Sequence, residues 1–321
     1  MITNSPLVSI CVPAYKEAGY VKRLLESILI QDHDRLEIII SDDSTDTAVE
    51  EVYKQFSPKA GMELRYFRHS PSLGTPVNWN FALDQARGDY HMLMHQDDYF
   101  ATPHSISTYL NAFVEDKGLD FVFSRNTPVY DDGVKVKGVR HDEHIVKNLK
   151  EKADHLVGIY VIGPPSNIML SKNIITRFDP RFIWLVDVDF CVRAIESGAN
   201  IKYLDEHLVT IGMHDNQATV YCQQNPGLIL RENILYAEKR PLEAFKKIWL
   251  YDYFWRLMRN HGVRSITDIT DTGVAVGEII LPIRDILDAQ QKFPLSLLRN
   301  GFFSKAMMFK TWLFNRHKYN A

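Results

Sequence analysis

Four short groups of residues carry side chains able to do chemistry, and each sits where an apolar run gives way to polar sequence. Asp42-Asp43 ends the run at 37–41, where a carboxylate can accept hydrogen bonds from a base N–H or a ribose hydroxyl, or can simply close an Asx turn. Asp97-Asp98 follows Met92-Leu93-Met94 within His95-Gln96-Asp97-Asp98. Adjacent carboxylates repel unless something positive lies between them and a ligand. A divalent cation holding a diphosphate is the usual solution, and a solvated turn the simpler one. Asp187-Val188-Asp189 follows the apolar stretch 182–186 and opens a helical pattern with Val192 and Ile195 on its inner side. Carboxylates in a first turn stabilise a helix through its dipole, while beside apolar Trp184 a carboxylate can also gain proton affinity and act as a general base. Asp189 is expected to point elsewhere. His214, after the strand-like run 208–211, reads as a structural histidine or a metal ligand. His141, His144 and His155 lack ligand spacing and read as a solvated loop.

Strand ends and helix starts must hold these groups. The first hundred residues repeat one unit, a β-branched run followed by a polar turn and apolar residues at helical spacing. Strands are expected at 7–12, 37–41, 64–67 and 90–94. Helices are expected around Val21, Leu24, Leu25, Ile28 and Leu29, at 48–56, and at 77–86 ended by Gly88. Strands alternating with helices imply a mostly parallel sheet, which binds ligands at its carboxyl edge. Beyond residue 119 the pattern weakens to a strand at 121–123, a tight turn at Asp131-Asp132-Gly133 and an unassigned stretch at 138–160. A helix at 187–197 stopped by Gly198 and a strand at 201–204 follow. After residue 222 the pattern is helical, with Pro226, Pro241, Pro282 and Pro294 as helix starts. The expected division is a domain at 1–222, with halves at about 1–100 and 101–222, and a helical C-terminal extension at 223–321.

The 321 residues are 45% hydrophobic and 24% charged, the composition of a globular protein of one large or two smaller domains. A net charge of -3 gives no global basic field, so nucleic acid is not an expected partner. Cys11, Cys191 and Cys222 are widely spaced, odd in number and without CxxC spacing. They suggest neither a disulfide framework nor a zinc site, and a reducing, cytoplasmic compartment. The N-terminal residues lack a basic n-region and an apolar h-region, and Gly163-Pro164-Pro165 interrupts the charge-free stretch 156–171, so neither a signal peptide nor a membrane span is expected. The absence of GxGxxG, Walker, GxSxG and HExxH patterns weakens the dehydrogenase, P-loop hydrolase, serine hydrolase and zinc protease readings.

Taken together, these residues resemble the family 2 inverting glycosyltransferases with the GT-A fold, over roughly residues 6–217. Residues 8–17 resemble the family's opening strand and P-x-Y-N-E turn, which implies that Pro13, Ala14, Tyr15 and Glu17 line a nucleotide pocket. Residues 37–43 resemble its second signature, implying that Asp42 reads the base with Asp43 beside it. Leu73-Gly74, Asn78-Trp79-Asn80 and Ala86-Arg87-Gly88-Asp89-Tyr90 resemble the approach to the metal motif, for which Gln96-Asp97-Asp98 stands. The resemblance places Asn80 and Asp97 with the donor, makes Asp98 the ligand of Mn²⁺ or Mg²⁺, and puts His214 where a metal- or diphosphate-contacting histidine is sometimes found. Asp187 lies where the ED-type motif carries the catalytic base, and Pro165 and Ser166 would wall an acceptor pocket. The chain departs from the pattern at Ser44-Thr45 for G-S, at Gln96 for the acid opening D-x-D-D and at Val186 for the Glu before the base. The processive Q-x-x-R-W motif is missing, which implies single addition.

The implied fold is α/β, a GT-A-type Rossmann-like mostly parallel sheet flanked by helices. The implied reaction is metal-dependent, inverting transfer of one hexosyl unit from a nucleotide-diphosphate sugar, UDP-linked by family default, to a saccharide or lipid-linked saccharide in polysaccharide or glycolipid biosynthesis. A sugar nucleotidyltransferase is the enzymatic rival, although 13–17 lacks the Gly-rich basic loop it normally needs. A non-catalytic nucleotide-sugar-binding module is the other rival, made conceivable by Val186 and Gln96. Residues 289–321 carry six bases and no acid, leaving -9 (31 minus 40) on the remainder. This stretch reads either as a peripheral contact with anionic lipid at the inner face of a membrane, or as a helix packed through Phe302, Ala306, Phe309 and Leu313.

Overall fold

A computed structural model describes residues 5–136 and 146–320. The chain forms two units, one of Met1–Ala153, Tyr160–Pro180 and Val186–Asp215, the other of Asp154–Ile159, Arg181–Leu185 and Asn216–Ala321.

In the first unit, β1 (Val8–Ala14) and β2 (Leu36–Asp42) are buried along their whole length. Strands buried on both faces read as continuous apolar runs, as these do. Between them α1 (Ala18–Leu29) turns Val21, Leu24, Leu25 and Ile28 inward, the i, i+3, i+4, i+7 face expected. The alternation continues through α2 (Ala48–Gln55), β3 (Met62–Arg68), α3 (Val77–Asp84) and β4 (Tyr90–Leu93). Next come β5 (Tyr99–Phe100), α4 (Ser105–Glu115), β6 (Phe121–Tyr130), β7 (Ile168–Ser171), α5 (Val186–Glu196) and β8 (Ile201–Met213). The eight strands form one sheet in the order β3-β2-β1-β4-β7-β6-β8-β5, with β7 and β5 antiparallel to their neighbours.

This order bends the sheet. β4 and β5 are four strand spacings apart, about 19 Å if flat, yet only residues 94–98 join them and four of those form a turn. The sheet therefore curls, and the 94–98 turn is pinned by β4 on one side and by β5, paired to β8, on the other.

Several elements differ from the sequence reading. The runs at 201–204 and 208–211 are one thirteen-residue strand, bulged against β6 near Ser124 and Arg125. α3 ends at Asp84 with Gln85 as its C-cap, short of Ala86 and Gly88. Gly88 serves close approach instead, since a Cβ there would lie 2.6 Å from Ser9 Oγ and 2.8 Å from Leu7 O. His141 and His144 lie outside the described residues. His155 is no solvated loop residue: it is half-buried in a 3₁₀ turn (Ala153–Val157) with its ring 3.9 Å from that of Trp249.

A buried charge organises the approach to β4. Glu37, 1% exposed on β2, accepts from Ser9 Oγ (2.5 Å), Arg87 Nε (2.9 Å) and Arg65 Nη1 (3.3 Å). Burial works against its ionisation, but these donors outweigh it and hold its pKa below the usual range.

The second unit is helical. Its main helices are Pro226–Glu238, Ile248–His261, Leu281–Gln290 and Gly301–Asn315, around buried Ile234, Tyr251, Phe254, Trp255, Ile286 and Met308. Pro226 and Pro282 stand in first turns, and Pro241 and Pro294 precede short helical turns. Trp255 Nε1 finds Ser304 Oγ at 3.0 Å and Trp312 Nε1 finds Phe245 O at 3.2 Å, so both indoles are buried without stranding their donors.

Candidate active site

Parallel register brings the ends of β1, β2 and β4 to one edge, with Ala14 beside Asp42 and Cys11 beside Leu93. The turn after β4 is tied from three sides. His95 N donates to Ser166 Oγ (2.9 Å), Gly212 N to Asp98 Oδ1 (3.0 Å), and Arg23 Nη2 to Asp97 O (2.7 Å). A Cβ on Gly212 would fall 2.2 Å from Asp97 O, so only glycine lets β8 come this close.

Ligand-capable atoms of His95, Asp97 and Asp98 lie within 4.8 Å of one another. Counted back from Asp98, the D-x-D-D pattern opens at His95; the place of its first acid is therefore held by an imidazole, and Gln96 fills the variable position. Burial, then the charge of Asp97, pushes the Asp98 carboxyl well above the usual range. Burial acts on Asp97 too, but the bond from His214 Nε2 at 3.0 Å, the neighbouring His95 and a backbone hydrogen bond together outweigh it and hold that carboxyl low. The same bond raises His214, whereas burial lowers His95. The buried Nε2 of His95 has no hydrogen-bond partner among the described residues. His95 Nδ1 lies 3.9 Å from Asp98 Oδ2, and an imidazole beside two crowded carboxylates fits a divalent cation.

Gln96 has a different task. Tyr15 N donates to its Oε1 (2.8 Å) and its Nε2 donates to Tyr15 O (3.1 Å), so one amide stitches the turn after β1 to the turn after β4. An acid there could accept but not donate. Pro13 and Ala14 are buried within β1; Tyr15 and Glu17 are exposed, and Lys16 (φ 56°) and Glu17 (φ 46°) adopt left-handed backbone. Asp42 is fully buried, accepting from Ser44 N (2.8 Å) and Tyr66 OH (2.6 Å), while Asp43 accepts from Leu73 N (3.0 Å) and Gly74 N (2.8 Å). Asp42 thus orders its own turn, and Asp43 the loop after β3. Asn80 acts as a clamp, its amide donating to Phe178 O and accepting from Phe178 N, each at 2.8 Å.

That clamp links the acidic turn to α5. Trp79 packs on His95 (4.6 Å between centroids) and on Phe178 (5.1 Å), and Phe178 stacks on Phe190 of α5 (4.3 Å). Asp187 is in the first turn of α5, half-buried, accepting from Val188 N at 2.9 Å. Tyr160 hydrogen-bonds to it and, through burial and then that carboxylate, is pushed well above the ordinary tyrosine range. Asp189 does point elsewhere, being fully buried and paired with Arg193 at 2.7 Å. Ser166 is also fully buried, but its hydroxyl serves His95 N and Asp98, which puts it under the acidic turn with Pro165 buried beside it.

Residues 9–191 match the family model described as Glycosyl transferase family 2. The chain belongs to that family. Among relatives, hyaluronan synthase of Pasteurella multocida is 34% identical over 133 residues, which are 41% of this chain and 13% of that protein. The chain spans less than two thirds of the length of the curated relatives it matches first. Among solved structures, S. aureus TarS in complex with UDP has a TM-score of 0.59 at 20% identity, covering 98% of this chain and 91% of that one. Mannosyltransferase PcManGT from Pyrobaculum calidifontis, in complex with GDP-Man and Mn²⁺, scores 0.54 at 14% identity, covering 98% and 87%. The fold is of the GT-A type, as expected from the motifs.

Three residues of this family 2 domain were not singled out for the site by its motifs. Arg23 of α1 lies over the rings of Tyr20 (5.0 Å) and Tyr99 (4.7 Å), faces Asp131 at 3.7 Å and braces Asp97 O. Tyr20 stacks on His214 (5.0 Å) and donates to Asp131 (2.6 Å), a bond that pushes its hydroxyl up to about 12. Gly212 carries the cradle described above. Only its place two residues before His214 is visible in the sequence.

Proposed function

We propose that the chain transfers one sugar from a nucleotide-diphosphate donor to an acceptor hydroxyl, with inversion at the anomeric carbon. The observation that carries this reading is the convergence of His95, Asp97 and Asp98 at the carboxyl edge of the parallel strands. Asp97 and Asp98, with His95 and His214 on either side, would hold Mn²⁺ or Mg²⁺. Such a cation supplies charge neutralisation for a departing diphosphate.

The protein's own groups do the rest. The stitched turns at Tyr15 and Gln96 and the ordered loops at Asp42 and Asp43 form the nucleotide side. Asp187 takes the acceptor's proton as its oxygen attacks, and Tyr160 holds that carboxylate in place. Uridine is the base by family default, and a saccharide or lipid-linked saccharide is the acceptor; the names of hyaluronan synthase and of the UDP and GDP-Man complexes support a nucleotide-sugar donor and a glycan product. The bridging role of Gln96 supports the catalytic reading over a non-catalytic module, for which Val186 is the other motive.

A thermal-shift panel of nucleoside diphosphates with and without Mn²⁺ tests the proposal, because a ligand bound only by the folded state raises its melting temperature. A metal-dependent shift with one diphosphate is expected, together with slow release of that diphosphate from its sugar. No shift with any would overturn the reading.

A further inference from the structure

Helix Gly301–Asn315 packs through Ser304, Met308 and Trp312, a stripe at i, i+4, i+8. The face that one of the two sequence readings would pack, at Phe302, Ala306, Phe309 and Leu313, is the exposed one. Phe302 is 88% exposed, Phe309 48% and Leu313 46%, and Ala306 is exposed with them. At 3.6 residues per turn these four fall within about 60° of arc. Lys305 and Arg316 flank the stripe on one side and Lys310 on the other, with exposed Phe314 beyond it. Lys305 and Lys310 have no acidic partner among the described residues, and the whole stretch 289–321 contains no acid.

A bare aromatic stripe between two rows of bases is an interfacial arrangement, with rings for the acyl boundary and cations for the headgroups. A second copy laid face to face would set the bases of one helix against those of the other, which charge complementarity disfavours. No helix of the described residues is long and apolar enough to cross a membrane, so the contact lies along the surface. We infer that this helix docks on an anionic lipid surface, with Phe302, Phe309 and Leu313 inserted and Lys305, Lys310 and Arg316 at the phosphates.

Flotation of the full chain with phosphatidylcholine vesicles, with and without phosphatidylglycerol, tests this. Binding is expected only with the anionic lipid and should be stripped by salt. The triple variant Phe302→Ser, Phe309→Ser, Leu313→Ser and the double variant Lys305→Gln, Lys310→Gln should each weaken partitioning on the order of tenfold or more. Both should melt as the wild type does, since none of these side chains is in the packed stripe. Absence of flotation, equal binding to neutral vesicles, or unchanged binding by the triple variant would overturn the inference. A concentration-dependent dimer abolished by the serine substitutions, with no flotation, would assign the face to a second copy instead.

Discussion

Asp97 and Asp98 are neighbours in sequence but stand in opposite electrostatic situations. Asp98 is 2% exposed, raised by burial and bonded to Gly212 N, while Asp97 is 16% exposed and lowered by His214 and His95 against the effect of burial. The carboxylate that a cation arriving from solvent meets first is therefore Asp97. Asp97→Asn is expected to cut the Mn²⁺-dependent gain in UDP affinity about tenfold or more by calorimetry; if only Asp98→Asn does so, the principal ligand is Asp98. For Asp187, an amide keeps the shape and the helix cap but cannot take a proton. Asp187→Asn should lower turnover on the order of 10²- to 10⁴-fold with donor affinity retained, and near-normal turnover would remove it as the base. Asp189→Asn is no neutral control, because it removes the fully buried carboxylate of an ion pair with Arg193; its expected signature is a lower melting temperature. The acids were legible because an acidic pair at a strand end or helix start is unusual in type and place at once. Arg23 was not, since it reaches the acidic turn from more than 65 residues away through a contact that no local pattern records, and Ser166 was legible as a site residue but not in its bond to that turn.

At the level of elements, the strands of the first hundred residues could be read because β1 and β2 are buried on both faces and helices with an apolar face separate the apolar runs. β7 was missed because its four residues lie in an apolar stretch without a period, and β8 was split because its bulge and exposed 205–207 interrupt the apolar run. The helix Pro226–Glu238 holds a residue of the same hidden kind. Glu232 is fully buried, raised by burial, and accepts the backbone N–H groups of Ile183, Trp184 and Leu185 at 2.8, 2.8 and 2.9 Å, ordering the run just before α5. Removing it strands three donors, each costing roughly 1–3 kcal/mol. Glu232→Ala is therefore expected to destabilise by about 3 kcal/mol or more in urea unfolding, and Glu232→Gln by clearly less; equal losses would show that the acceptor geometry is not what matters.

For the molecule as a whole, one buried imidazole sets a limit on acid tolerance. His91 on β4 is 7% exposed and burial depresses its pKa to about 4, so it stays neutral in the fold while an unfolded chain would protonate it near 6.5. Between those values the unfolded state binds the extra proton, and stability falls as pH falls, by about 3 kcal/mol across the window. Urea midpoints should drop between pH 7 and pH 5, and His91→Asn should flatten the drop; an unchanged slope would exonerate His91. The order in which the chain is made has its own consequence. β8 joins β6 across some 80 residues of sequence, a non-local parallel pairing that must await its partner. Only when residues 212–214 have left the ribosome and docked do Gly212 and His214 reach the acidic turn at 95–98. A nascent chain stopped short of them carries both aspartates but not their cover, so the activity proposed here can begin only after residue 214 has emerged and docked.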